Sequence, residues 1–205
     1  MNTAEIRITS LGEGMEEALA ATEQLGLDSG LGYKENLRLR LLAEELIGLL
    51  RGITGKVEAC YQGRQEERKF ELSLSADVSM TQELRKQLLA ASSSGKNAAA
   101  KGFMGRIRDM VAAILLPENE EPAEVSGLSL GLMSLGGPAR YTAGVNAYAW
   151  TMSKYMSEVR SSREEDAEAA DAWDELEKSI VANLADDVSV KIEGHSVEIV
   201  ITKAV

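Results

Sequence analysis

The sequence predicts an α+β domain, a five-stranded antiparallel or mixed sheet covered on one face by helices. Two patterns predict it. Apolar and polar residues alternate in five short runs, four of which pair into two hairpins. Between the runs, apolar residues recur every three or four positions, the spacing of amphipathic helices. The order is β-α-α-β-β, a helical middle, then α-β-β, which segregates helices from strands instead of alternating them.

The first strand is Glu5 to Ser10, with Ile6 and Ile8 on one face, and Gly12 and Gly14 break it. Met15 to Leu25 reads as a helix with Met15, Ala18, Leu19 and Leu25 on one stripe, where Thr22 is the polar member. Gly26 and the Asp28-Ser29-Gly30 run end it. A second helix spans Lys34 to Arg51. Leu37, Leu41, Leu42, Leu46, Ile47, Leu49 and Leu50 surround its axis, which predicts burial on more than one side. Gly52 and Gly55 mark its end. Val57, Ala59 and Tyr61, then Phe70, Leu72, Leu74 and Ala76, form a hairpin around the polar loop Gln62 to Arg68.

Ser79 to Gln82 fits a capping box opening a third helix that runs to Ala91. Ser92 to Gly95 interrupts it. A fourth helix carries Phe103, Met104, Ile107, Met110, Val111, Ile114 and Leu115 on one face and stops at Pro117. Residues 118–138 form a long loop, acidic and then rich in Gly, Ser and Leu. Its apolar part, Leu128 to Leu135, should pack on something if ordered. A fifth helix is expected from Tyr141, Val145, Tyr148, Met152, Tyr155, Met156 and Val159, with Trp150 off the stripe and exposed. Trp173, Leu176, Ile180, Val181 and Leu184 give the last helix. The chain closes with a hairpin: Val188, Val190 and Ile192, a turn at Glu193 to Ser196, then Val197, Ile199 and Ile201. One domain, 1–205, is expected, with 79–164 as a helical insertion.

The chain has 205 residues and 44% apolar content, enough for one sealed core. Its net charge of −11 argues against a nucleic-acid surface, because phosphate binding needs a basic patch. One cysteine, Cys60, excludes an intramolecular disulfide. The first residues lack the basic and apolar regions of a signal peptide, and no window approaches 18 apolar residues, so a cytoplasmic protein without a membrane span is expected.

Three stretches carry a resemblance. Leu42-Ala43-Glu44-Glu45-Leu46-Ile47-Gly48-Leu49 lies on the long second helix, Asp77 ends the first hairpin, and Ser92-Ser93-Ser94-Gly95-Lys96-Asn97 joins two helices. With the element order over residues 5–78 and 165–203, they resemble the Bergerat ATP-binding fold of sensor histidine kinases, anti-sigma-factor serine kinases, gyrase B and a class of heat-shock chaperones. The small anti-sigma kinases are nearest in layout, and the region 79–164 takes the place of their ATP lid, enlarged. The resemblance implies ATP or ADP as ligand. It implies Glu44 or Glu45 as general base, Asp77 on the adenine amino group, and Ser94, Gly95, Lys96 and Asn97 on the phosphates. In the family an asparagine four residues after the glutamate binds magnesium. Here Gly48 or Leu49 stands there, and neither offers an oxygen ligand, which argues against magnesium. The glycines that follow the family aspartate are also absent.

Physically, the Ser/Gly run before a helix N-terminus offers free N–H groups and a positive dipole end to an anion. An ordinary interhelical loop with solvated lysines explains the same residues. His195 is the single histidine, which excludes a histidine-based metal site or triad, and turn duty accounts for it. Lys101, Arg106 and Arg108 read as the solvated face of the fourth helix, and Glu164 to Glu177 as a helix start and its wet face. Cys60 reads as a small packed thiol. The tyrosine and methionine stripe is core or a partner-binding face. The expected function is a degenerate ATP-binding regulator acting on a protein partner, in the manner of an anti-sigma factor. Its alternative is a non-enzymatic interaction module, including a homodimer, that keeps only the scaffold.

Overall fold

The structure is a computed structural model that describes residues 1–51, 57–77, 103–114 and 147–205. In chain order the elements are β1 (Ile6–Thr9), α1 (Met15–Asp28), α2 (Tyr33–Arg51), β2 (Glu58–Glu66), β3 (Lys69–Asp77), α3 (Phe103–Ile114), β4 (Ala147–Thr151), α4 (Met152–Ser162), α5 (Ala167–Lys178), α6 (Ile180–Leu184), β5 (Asp187–Glu193) and β6 (Ser196–Ala204). The strands form one sheet in the order β1-β2-β3-β6-β5-β4, and every neighbouring pair is antiparallel. The amino-terminal strand and both hairpins therefore share a sheet.

Alternation decides which side of that sheet is dry. One row across all six strands reads Ile6, Tyr61, Leu74, Ile199, Val190, Trp150, and all six side chains are buried. The next row reads Arg7, Cys60, Ser75, Glu198, Lys191, Ala149, and none of these is buried. The buried rows join Leu19 and Leu25 of α1, Leu42 and Leu46 of α2, Ile107 of α3, Tyr155 of α4 and Leu176 of α5 in one apolar cluster. Burying each large apolar side chain contributes roughly 1.5–3 kcal/mol. α2 lies against β3 and β6 and touches α1, α3 and α6, so its leucines are covered from several directions. Leu37 is the exception and stands half exposed.

Four expectations are corrected. The sheet has six strands, not five, because Ala147–Thr151 is a strand and the helix begins only at Met152. Tyr141, Tyr148 and Tyr155 mimic a helical heptad, but Tyr148 and Trp150 also alternate, and pairing with β5 buries both. Trp150, expected at the surface, is 2% exposed. Arg106, expected in solvent, is buried beside Glu175. The hairpin loop is also shorter than residues 62–68, since β2 runs to Glu66 and only Glu67 and Arg68 turn. Gly63 hid that strand: it occupies an inward position where a Cβ would stand 3.1 Å from a Leu25 methyl, so the apolar alternation skips it.

Smaller differences have local causes. α1 continues through Gly26 to Asp28 because the glycine lets Asn36 of α2 pack against it. The last predicted helix divides at Ser179, whose side chain accepts a 3.2 Å hydrogen bond from the Ala182 N–H and caps α6. The His195 turn is confirmed, with Gly194 taking the positive φ of 61°. Among the described residues no helix is long and apolar enough to cross a membrane. The capping box at 79–82, the helix to Ala91, the loops at 92–97 and 118–138, and Lys101 lie outside the described residues.

Candidate functional site

α2 places the two glutamates singled out by sequence on one helix laid against β3. Its buried arc contains Leu42, Ala43, Leu46 and Ile47, so Glu44 falls in solvent and Glu45 at the arc's edge, half-buried. Burial first, and the neighbouring Glu44 carboxylate second, raise the Glu45 carboxyl above its ordinary pKa. A carboxyl whose pKa is raised in this way holds a proton more readily than an exposed glutamate does. Four residues after Glu44, a Cβ built on Gly48 would meet no described atom within 4 Å. Packing therefore does not require glycine there.

Asp77 is the last residue of β3 and pairs in register with Ser196, the first residue of β6. It is exposed. No hydrogen bond or ion pair among the described residues links it to Glu44 or Glu45, although the helix and strand that carry them are packed together. Ser94, Gly95, Lys96 and Asn97 lie outside the described residues. Among the described residues, no three of His, Cys, Asp and Glu gather in a way that could hold a metal ion. A depression of about 370 Å³ is lined by Glu66, Glu67, Arg68, Lys69, Asp186, Thr202 and Ala204. It sits at the opposite end of β3 from Asp77, so none of the expected site residues lines it.

Cys60 lies on the wet face of the sheet, in register with Arg7 and Ser75. Desolvation chiefly, with Glu5 nearby, pushes its thiol pKa up despite Arg7, so the thiol is poorly ionised and a weak nucleophile.

Sequence reasoning missed a polar cluster inside the helical layer. Arg106 on α3 brings its Nε to 2.5 Å from Glu175 Oε2 on α5. It stands close enough to the Tyr155 hydroxyl of α4 to oppose part of the burial that raises that phenol's pKa. The Tyr155 ring in turn packs with Phe103 and Trp150, the three ring centroids lying 5.8 to 6.4 Å apart. One signal was available: Arg106 follows Phe103 by three residues and directly precedes Ile107, placing it beside the apolar stripe rather than opposite it. Comparison with protein-family models, curated proteins and solved structures finds no match to this chain.

Proposed function

We propose that the chain is a regulatory domain that acts on a protein partner, on a scaffold laid out like the Bergerat ATP-binding domains, binding ATP or ADP without magnesium-dependent transfer. One observation carries the reading. A single helix, lying against β3 and β6, presents a half-buried glutamate with a raised pKa and, four residues past Glu44, a glycine that packing does not demand. That supplies a proton acceptor but no oxygen ligand for a hard cation at that position. Nucleotide would then serve as an allosteric or stabilising ligand, with Asp77 on the adenine and Lys96 on the phosphates.

Thermal denaturation with ATP, with ADP, and with each plus magnesium tests this. Nucleotide at a hundredfold its dissociation constant should add about 2.7 kcal/mol of stability, and magnesium should add nothing further. Glu45→Gln and Asp77→Asn should reduce the effect. The absence of any nucleotide shift would overturn the reading.

A second reading, an interaction module without nucleotide, is favoured by the tip of the α1–α2 pair. Leu27, Tyr33 and Leu37 are exposed there, Tyr33 at 82%, and Tyr33 and Leu37 lie four residues apart on one face of α2. A molecular size that rises with concentration, and that Tyr33→Ser with Leu37→Ser abolishes, would support this reading over the first.

A further inference from the structure

The outward face of α2 is divided by charge. Leu37, Leu41 and Gly48 run down it at multiples of the helical three- to four-residue spacing. Leu37 is 44% exposed and Leu41 half-buried, and Gly48, with no side chain, lets a facing helix approach closely. Lys34 and Arg38 stand beside this line in the amino-terminal half of the helix, and Glu44 and Glu45 in the carboxy-terminal half. We propose that α2 is the contact of a symmetric dimer, packing antiparallel against α2 of a second copy of this chain. The proposal rests on the second of the two readings above, the interaction module, and gives that module its partner.

Charge and symmetry carry the argument. In an isologous dimer the same patch serves both copies, so the patch must complement itself. Arg38 and Glu44 lie three residues before and after Leu41, about 4.5 Å along the helix in each direction. A two-fold axis at Leu41 therefore sets Arg38 of each copy against Glu44 of the other, and both pairs form together. Lys34 extends toward the Glu45 side of the facing helix in the same arrangement. Parallel packing would instead set arginine against arginine and glutamate against glutamate, which is costly at an interface. Within the chain these charges are available: among the described residues neither Glu44 nor Glu45 makes an ion pair, and Arg38 pairs with Glu35 of its own helix. An apolar line flanked by charges is also the arrangement of a protein interface, apolar at its centre and polar at its rim. Tyr33, 82% exposed at the start of the helix, adds an aromatic side chain to that rim.

Sedimentation equilibrium of the full chain measures the dimer dissociation constant and tests the pairing. Arg38→Glu places two glutamates together at each pair, and Glu44→Arg places two arginines there. Each variant alone should dimerise at least about tenfold more weakly than the native chain. An equimolar mixture of the two should recover the native affinity, because the mixed dimer holds both opposite-charge pairs. Both side chains are exposed, and circular dichroism checks that the variants fold. If either does not, the exchange of both charges in one chain, Arg38→Glu with Glu44→Arg, decides instead: native affinity supports the pairing and weakened affinity overturns it. A chain that stays monomeric at every concentration overturns the proposal. A dimer that Tyr33→Ser with Leu37→Ser abolishes, but that neither charge variant weakens, leaves the interaction-module reading standing and overturns the antiparallel pairing of α2.

Discussion

The Thr22 hydroxyl and the Tyr61 hydroxyl meet at 2.5 Å between α1 and β2, both fully buried. Thr22 donates its own proton to the Ala18 carbonyl at 2.8 Å, so Tyr61 is the donor in the pair. The one polar residue on an otherwise apolar helical stripe is thereby accounted for: it completes a hydrogen bond to a phenol that the sheet brings under the helix.

This pair should behave as a unit. Thr22→Val leaves the Tyr61 hydroxyl buried without an acceptor and should cost about 1–3 kcal/mol. Tyr61→Phe should cost about 0.5–1.5 kcal/mol. The double variant should fall short of the sum by about 1 kcal/mol, since it removes both polar groups together. Urea denaturation of the four proteins checks the cycle, and strict additivity would mean that the hydroxyls do not interact.

Alkaline pH should unfold the protein through its tyrosines. Burial raises the Tyr61, Tyr148 and Tyr155 phenols, Tyr148 to about 12. A pKa raised in the folded state means that the neutral form is favoured there. The contribution is complete below the unfolded value of about 10 and is lost as pH rises through the folded values. Stability should hold flat up to about pH 10 and then decline, with tyrosinate absorbance appearing together with unfolding. Titration of all the tyrosines near pH 10 in a still-folded chain would contradict the burial of these three.

Much of the sheet was legible because alternation is a local signal, and Ile6, Tyr61, Leu74, Ile199 and Val190 each sit in a run that displays it. The failures came where two signals competed. Tyr148 and Trp150 carry a period of two inside a seven-residue tyrosine repeat. The repeat looked helical, and only the pairing partner β5, some forty residues later in the chain, settles the matter. Gly63 broke an alternation that its strand nevertheless obeys. Arg106 looked solvated because a charge beside an apolar stripe is usually wet, and its partner Glu175 comes from a helix that local pattern does not place. At the candidate site, position was legible and contact was not. Glu44, Glu45 and Asp77 fall on the expected helix and strand end, yet nothing local fixes how the side chains of separate elements meet.

Three glycines should respond differently to alanine. Gly14 holds φ at 75°, and a Cβ there would stand 2.1 Å from the Arg7 carbonyl oxygen, so Gly14→Ala should cost more than about 2 kcal/mol. A Cβ on Gly26 would stand 2.1 Å from Asn36 Oδ1. Asn36 is held by its 3.1 Å bond to the Glu23 carbonyl, so Gly26→Ala should cost about 1–3 kcal/mol. Gly48 lies inside α2 with open space around it, and alanine should stabilise the helix by about 0.5–1 kcal/mol. Thermal melts rank the three, and a destabilising Gly48→Ala would reveal a close neighbour that needs the glycine.

Glu45 should be a residue that costs stability. Its carboxyl pKa is raised by burial and by Glu44, so its charge is disfavoured in the folded state. The sign follows from linkage: the protonated form's advantage is complete below the ordinary carboxylate pKa and is lost as pH rises through the folded value. Glu45→Gln, fixed in the neutral state, should therefore be more stable than the native chain at neutral pH, by an amount that solvent screening of this half-exposed carboxyl keeps small. The difference should vanish in acid. A carboxylate kept at a net cost is what a functional group predicts, since stability is commonly given up where activity needs a strained or charged residue. If Glu45→Gln stabilises the fold and also removes the nucleotide response, cost and function reside in the same side chain. If it stabilises the fold and leaves that response intact, Glu45 is not part of the site.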